Sequence, residues 1–195
     1  ENKRWKDNAV SNKICWENKS AEIECDDDCQ GGEGCVNKRI QKFEWKKVEK
    51  KKAKKGGRGY GLFVLEDIEE DDFIIEYIGR VVHKDPKNEY GMKFRGMQLW
   101  IDPSKMETAT AKYMNHSCIP NCRNQMWGVK GMPRLCFFAC RKIKSGEELT
   151  FDYGWTIPVQ SILDWRKSGT KCLCGAENCL GIIEKGVQSR AARGG

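Results

Sequence analysis

Short apolar runs alternate with turn-forming residues along most of the chain. Runs at 61–65, 73–82, 99–102, 134–143 and 148–153 are separated by Gly, Pro, Asn and Asp, which is the pattern of strands joined by turns. Only two stretches, 104–114 and 159–167, have the spacing of a short helix. The pattern therefore predicts a mostly β domain with two short helices.

Composition excludes a membrane span and leaves the cysteines to be explained. The chain has 195 residues, of which 39% are apolar, and its mean hydropathy is −0.70. Its longest apolar run is far shorter than the ~20 residues that a bilayer span needs. The first ten residues lack the apolar core of a secretory signal. We therefore expect no oxidising compartment, and the eleven cysteines need a role other than disulfides.

The positive charge is concentrated in one segment. Residues 46–58 hold eight basic residues and one acid, which equals the net charge of +7 of the whole chain. A local basic segment on an otherwise neutral chain favours one contact with a polyanion or an acidic surface. A solvated linker explains the same composition, and the sequence leaves both interpretations open.

Four cysteines near the start of the chain form the first candidate metal site. They are spaced C-x9-C-x3-C-x5-C: Cys15, Cys25, Cys29 and Cys35. Four thiolates complete a closed tetrahedral zinc site. The surrounding segment has no apolar periodicity long enough for a core, so we expect the metal to order it.

A second cluster is one ligand short of such a site. Its three cysteines follow C-x-C-x4-C spacing: Cys172, Cys174 and Cys179. A fourth ligand must come from elsewhere in the fold. The remaining cysteines are the candidates: Cys118, Cys122, Cys136 and Cys140. The last two alternate with apolar residues in a strand-like run and are better explained as buried thiols, while spacing alone leaves Cys118 and Cys122 open.

Two segments resemble the paired signature of SET-domain protein lysine methyltransferases. Residues 115–122 read Asn-His-Ser-Cys-Ile-Pro-Asn-Cys, and residues 148–154 read Glu-Leu-Thr-Phe-Asp-Tyr-Gly. The Arg-Gly-Tyr-Gly turn at 58–61 is similar to the first cofactor motif of that family. The cysteines at 172–179 resemble its post-SET zinc segment, and the front cysteines its AWS (associated-with-SET) module. The arrangement is most similar to the subgroup that methylates lysine-36 of histone H3.

The resemblance implies a fold and a division of the chain. It implies small β-sheets with a pseudoknot, flanked by zinc-bound segments. The segments would be an AWS-like module at 1–45, a basic linker at 46–56, the SET domain at 57–156, the post-SET segment at 157–185 and a flexible tail at 186–195. Cys118 would complete the second zinc site, so that the chain would hold two structural zinc ions.

The resemblance also implies residue roles in methyl transfer from S-adenosylmethionine to lysine. Tyr153 would be the catalytic hydroxyl, Tyr77 a second hydroxyl near the target amine, and Phe151 the residue that sets the space around it. Seven residues would contact the cofactor: Arg58, Gly59, Tyr60, Tyr90, Asn115, His116 and Leu173.

The implied partners are the histone H3 tail and the nucleosome, with nucleosomal DNA at the basic linker. We expect a monomeric catalytic core, no membrane contact, and a nuclear, chromatin location. The alternative is a catalytically inactive, zinc-stabilised module that binds chromatin or nucleic acid. Tyr153, Asn115 and His116 favour the enzyme.

Overall fold

The computed structural model describes residues 13–29, 31–53, 59–153, 170–179 and 181–183. The described part contains one α-helix, α1 (Lys13–Ser20), and two single-turn 3-10 helices at Gly32–Gly34 and Thr110–Tyr113. The other elements are strands: β1 (Val48–Lys52), β2 (Tyr60–Val64), β3 (Phe73–Glu76), β4 (Arg80–Val82), β5 (Met92–Lys93), β6 (Trp100–Asp102), β7 (Asn115–His116), β8 (Cys122–Val129), β9 (Met132–Ala139), β10 (Glu148–Phe151), β11 (Thr170–Lys171) and β12 (Ile182–Ile183). The predicted mostly β fold class is confirmed.

Strand β10 joins distant parts of the chain. The largest sheet has the order β1-β2-β10-β8-β9-β3, with β7 also paired to β10. Strand β10 is antiparallel to β2 but parallel to β7 and β8, and it aligns Thr150 with Asn115 and Phe151 with His116. The two signature segments of the sequence therefore lie side by side. Smaller sheets are formed by β4-β6-β5 and by β11-β12.

Strand β9 contributes to two hydrophobic cores. Its last five residues are all buried, and they alternate between the faces, as strand geometry requires. Leu135, Phe137 and Ala139 enter the larger core, whereas Cys136 and Phe138 enter the second. Ile40 from the N-terminal segment is buried in the second core, so this segment covers one face of the sheet.

The predicted helix at 104–114 is wrong, because only Thr110–Tyr113 form a 3-10 turn there. The backbone carbonyls of Pro103 and Met106 accept hydrogen bonds from Lys112 Nζ, at 3.2 and 2.8 Å. The same two carbonyls accept backbone N–H groups from three residues ahead, those of Met106 at 2.9 Å and Ala109 at 3.3 Å, which is the pattern of separate turns and not of an α-helix. The second predicted helix, 159–167, lies outside the described residues.

The apolar run at 73–82 forms two strands in different sheets, β3 and β4. Gly79 lies between them, where a Cβ atom would come within 2.5 Å of Ile101 Cγ2 and 2.8 Å of a backbone carbon of Asp102. A residue with a side chain could not approach β6 so closely. This close approach lets the chain pass from one sheet to the other.

Besides the 3-10 turn at Gly32–Gly34 and the two-residue strands β5, β7, β11 and β12, three longer elements of the structure were not predicted. They are α1, the lysine-rich β1 and the polar β8. The segment expected to be a basic linker therefore contains a strand that pairs along its full length with β2. None of the helices in the described ranges is long and apolar enough to cross a membrane.

Candidate active site

Tyr153 lies two residues after the end of β10 and is held by both its backbone and its hydroxyl. Its hydroxyl donates a hydrogen bond to the carbonyl of Met114 at 3.0 Å. Its backbone N–H donates to His116 Nδ1 at 3.3 Å. The imidazole of His116 also packs against the Tyr153 ring, with centroids 5.3 Å apart. The pairing of β7 with β10 therefore fixes the position of this phenol.

A row of aromatic rings connects the two tyrosines that sequence analysis assigned to catalysis. The ring centroid of Phe151 lies 4.7 Å from that of Tyr153 and 4.8 Å from that of Phe137. The centroids of Phe137 and Tyr77 lie 6.1 Å apart. Phe137 was not predicted as part of the site, because a continuous apolar run does not show which face each residue occupies. The row supplies apolar walls beside the Tyr153 hydroxyl.

Tyr77 is buried, and its hydroxyl donates to the backbone carbonyl of Tyr90 at 2.6 Å. Burial raises the pKa of Tyr77 well above that of an ordinary phenol, and the neighbouring hydroxyl of Tyr153 raises it further. Tyr77 therefore stays a neutral phenol around pH 7. Tyr90 is half-buried. A hydrogen bond with Glu89 raises its pKa, and burial raises it further.

Three of the predicted cofactor residues, Gly59, Tyr60 and Asn115, meet at the start of β2. Asn115 Nδ2 donates to the carbonyl of Tyr60 at 3.0 Å and to Glu148 Oε1 at 2.7 Å. Gly59 has φ +72°, and among the described residues no atom beyond its chain neighbours lies within 4 Å of where its Cβ would be. The structure therefore brings the Gly59–Tyr60 turn and Asn115 together beside open space. Arg58 lies outside the described residues.

The first four predicted zinc ligands form a compact thiol cluster, Cys15, Cys25, Cys29 and Cys35. Three of the Sγ–Sγ distances are 3.5, 3.7 and 3.7 Å. A tetrahedral site with Zn–S bonds of about 2.3 Å requires sulfur atoms about 3.8 Å apart. Burial raises the pKa of the Cys15 thiol, which means that the negative charge of a thiolate is unfavourable there. Several thiolates this close together therefore need a cation between them. The residues fit a structural zinc ion.

The second cluster contains Cys118 as its fourth member, together with Cys172, Cys174 and Cys179. Cys118 Sγ lies 3.9 and 4.0 Å from two of the other sulfur atoms. Burial raises the pKa of Cys174, but hydrogen bonds from the backbone N–H groups of Cys118 and Ala176 outweigh it and lower the value to about 6. A thiolate is therefore available to a metal at neutral pH.

The structure decides between the two open candidates for the fourth ligand. Cys122 is fully buried in β8, and burial raises its pKa to about 12. Cys136 is buried in the second core and Cys140 is half-buried. None of these three belongs to either cluster.

His116 connects the second cluster to Tyr153. Its Nε2 lies 3.4 Å from Cys118 Sγ, while Nδ1 accepts the hydrogen bond from the Tyr153 backbone. An imidazole that accepts at Nδ1 carries its proton on Nε2, so Nε2–H can donate to the sulfur. Leu173 is half-buried between two of the cluster cysteines in sequence. One side chain thus joins a candidate metal centre to the candidate catalytic residue.

Together these features define a β protein with two four-cysteine clusters that could each hold a metal ion and an aromatic site beside one of them. Comparison with known proteins agrees: a model of the SET domain matches residues 59–154. The chain belongs to the SET-domain family.

The most similar proteins include several histone-lysine N-methyltransferases. SETD2 of Homo sapiens is 35% identical over 187 residues, which are 88% of this chain and 7% of that protein. ASHH2 of Arabidopsis thaliana is 34% identical over 180 residues, 85% of this chain and 10% of that protein. A Chaetomium globosum protein named as H3 lysine-36 specific is 33% identical over 187 residues, 90% of this chain and 20% of that protein. The chain thus spans only a fifth or less of these three relatives.

Solved structures share the fold. The polycomb repressive complex 2 of Chaetomium thermophilum contains a chain that is 28% identical, with a TM-score of 0.61, covering 75% of this chain and 22% of that one. An active polycomb repressive complex 2 in the stimulated state gives 28% identity and a TM-score of 0.60, covering 72% and 21%.

Proposed function

We propose that this chain is the catalytic core of a histone-lysine N-methyltransferase that uses S-adenosylmethionine and acts on lysine-36 of histone H3. The relatives named as histone-lysine N-methyltransferases support the reaction, and those named as H3 lysine-36 specific support the substrate. The observation that carries the proposal is Tyr153, whose hydroxyl is anchored to Met114 beside the aromatic row.

Four residues are suited to hold the methyl donor. The backbone at Gly59 and Tyr60 offers close approach, and Asn115 and His116 lie on the strand that pairs with β10. The donor supplies a methyl group on a cationic sulfur. Arg58, Tyr90 and Leu173 complete the proposed contacts, and Leu173 would cover the donor once the second cluster is closed around zinc.

The target lysine must be neutral before it can attack a methyl group. Removing its proton at pH 7 from a reference pKa of about 10.4 costs roughly 4.6 kcal/mol. Apolar surroundings disfavour the ammonium form and reduce this cost. The rings of Phe137, Phe151 and Tyr153 form such surroundings.

The two tyrosines act as hydrogen-bond acceptors. Each hydroxyl proton is already donated to a carbonyl, that of Met114 for Tyr153 and that of Tyr90 for Tyr77. A phenol that donates keeps its oxygen lone pairs as acceptors. These lone pairs can take an N–H of the lysine amine or a C–H of the polarised methyl group. The raised pKa of Tyr77 excludes it as a base at neutral pH.

Mass spectrometry of histone H3 from nucleosomes incubated with the chain and S-adenosylmethionine tests the substrate and the product together. We expect methylation at lysine-36, with more than one methyl group, because Phe151 has no hydroxyl to hold a water beside the amine. The Phe151→Tyr variant should shift the product towards monomethyl-lysine, since its added hydroxyl takes part of the space within the aromatic row. Monomethyl product alone from the wild type, at long times and high enzyme, contradicts the role of Phe151.

Methylation of a different histone lysine would overturn the lysine-36 assignment. If no histone is methylated in this experiment, the proposed enzymatic activity is wrong, and a binding module without catalysis is favoured. Nuclear localisation follows from the proposed substrate.

We propose that nucleosomal DNA contacts the exposed lysines of β1. Lys51 and Lys52 are both exposed, and each phosphate contact adds to the salt dependence of binding. Replacing both with Gln should slow methylation of nucleosomes several-fold while leaving methylation of free histone H3 unchanged, as measured by initial rates at increasing salt. Lys142→Gln with Lys144→Gln removes the same charge from ion pairs elsewhere on the surface and should change neither rate. Equal slowing on both substrates contradicts the DNA contact.

A further inference from the structure

The side chain of Lys50 is held between two tyrosine rings. Its Nζ lies 4.1 Å from the ring centroid of Tyr60 and 4.1 Å from that of Tyr113. The two rings meet edge to face, with centroids 6.4 Å apart. A cation over two ring faces is attracted by both quadrupoles, so the ammonium has a defined position although β1 is exposed.

The backbone places this ammonium at the proposed donor site. Lys50 pairs with Leu62 in the β1–β2 ladder, which brings it beside Tyr60 at the start of β2. Tyr113 is the last residue of the 3-10 turn before β7. Asn115, two residues later, donates to the carbonyl of Tyr60. The ammonium, the Gly59–Tyr60 turn and Asn115 therefore lie at the same end of the sheet.

The ammonium has hydrogen-bonding capacity that the rings do not use. A lysine carries three N–H donors, and aromatic faces accept none of them as a conventional hydrogen bond. Among the described residues, no carboxylate forms an ion pair with Lys50, whereas the adjacent Lys51 pairs with Glu49 at 3.0 Å. A positioned cation with unused donors is suited to an anionic ligand group.

We infer that Lys50 binds the carboxylate of the methionine part of the methyl donor. The inference rests on the proposed function, which already places that part of the donor against the backbone at 58–60. Tyr60 and Tyr113 act as positioning residues, because they hold the ammonium in place through their rings. Lysine at position 50 therefore contributes to recognising the amino acid end of the donor.

Calorimetric titration with two ligands that differ only in the carboxylate tests the inference. The ligands are S-adenosylmethionine and its decarboxylated form, titrated in the absence of histone. Lys50→Met should weaken binding of S-adenosylmethionine by about tenfold, the scale of one hydrogen-bonded charge pair. Binding of the decarboxylated ligand should change less than about twofold, as for an exposed charge. Lys50→Arg keeps the charge and should retain most of the selectivity for the carboxylate.

Lys51→Met is the matched control, because its side chain leaves the opposite face of the same strand and pairs with Glu49. It should leave both affinities unchanged. Equal weakening of both ligands by Lys50→Met, or no weakening of either, overturns the inference and leaves the proposed function standing. Failure of the wild-type chain to bind S-adenosylmethionine overturns the proposed function itself.

Discussion

The Tyr153→Phe variant is expected to transfer methyl groups about 10²–10³-fold more slowly than the wild type, the usual effect of deleting one aligned polar group from an active site. The substitution removes one oxygen and keeps the ring that packs against Phe151 and His116. Loss of the hydroxyl oxygen deprives the amine and the methyl group of a hydrogen-bond acceptor that the bond to the Met114 carbonyl had oriented. Single-turnover transfer of labelled methyl to nucleosomes measures the effect on the chemical step.

Affinity for the donor separates this loss of chemistry from damage to the site. Calorimetry should give the same donor affinity for Tyr153→Phe and the wild type, because the proposed donor contacts lie on Gly59, Tyr60 and Asn115. Ser145→Ala is a control, since it removes a hydroxyl from an exposed residue outside the proposed site. It should retain the wild-type rate. A Tyr153→Phe variant with full activity would remove this phenol from the mechanism.

The Cys118→Ser variant is expected to lose one of two zinc ions and nearly all activity. Cys118 is the only ligand of the second cluster that comes from the SET signature; the other three lie at 172–179. Without the metal, the sulfur atoms at 172–179 lose the ion that would hold them to Cys118, and Leu173 would no longer cover the donor. His116 also loses the sulfur at 3.4 Å that fixes its imidazole. Mutating the residues that hydrogen-bond to metal ligands typically lowers metal affinity or activity by about 10–100-fold. Loss of the metal itself should cost more.

Zinc content and activity must be measured on the same samples. Elemental analysis should find two zinc ions per wild-type chain and one per Cys118→Ser chain. Cys140→Ser, at a half-buried cysteine outside both clusters, should retain two zinc ions and full activity. A strong chelator should abolish wild-type activity, and added zinc should restore it. A Cys118→Ser chain that keeps two zinc ions, or that loses one and stays fully active, contradicts the account.

The strands were predictable where apolar residues dominate. Strands β2, β3 and β9 bury most of their residues, and β10 buries Leu149 and Phe151, so their runs stand out in the sequence. Strand β8 was missed because Arg123, Asn124 and Gln125 interrupt its pattern. Two of these polar groups are satisfied by distant residues: Arg123 pairs with Asp71, and Gln125 donates to Glu22 at 3.1 Å. Such pairings exist only in the folded chain.

Lysine-rich β1 could not be predicted from propensity. Four of its five residues are exposed, and it forms because β2 offers it a full antiparallel register. Strand pairing of this kind depends on the partner more than on the side chains of the added strand. The cation between Tyr60 and Tyr113 follows from that register and could not be recognised before the strands were paired.

The motif residues of the site could be predicted from the sequence, but the residues that support them could not. Asn115, His116 and Tyr153 meet as the paired signature implies. Met114, which accepts the hydrogen bond of Tyr153, and Phe137, which packs against Phe151, belong to no signature. Their roles depend on the alignment of β7 and β9 with their neighbours, which only the three-dimensional pairing defines.

A crystal structure of the chain with S-adenosylhomocysteine and a histone H3 peptide spanning lysine-36 would show whether donor and lysine meet at Tyr153. We expect the sulfur of the bound nucleoside and the nitrogen of the lysine to face each other beside Phe151, with the Tyr153 oxygen within hydrogen-bonding distance of that nitrogen. A nucleoside bound away from Asn115, or a lysine that enters without approaching Tyr153, would contradict it.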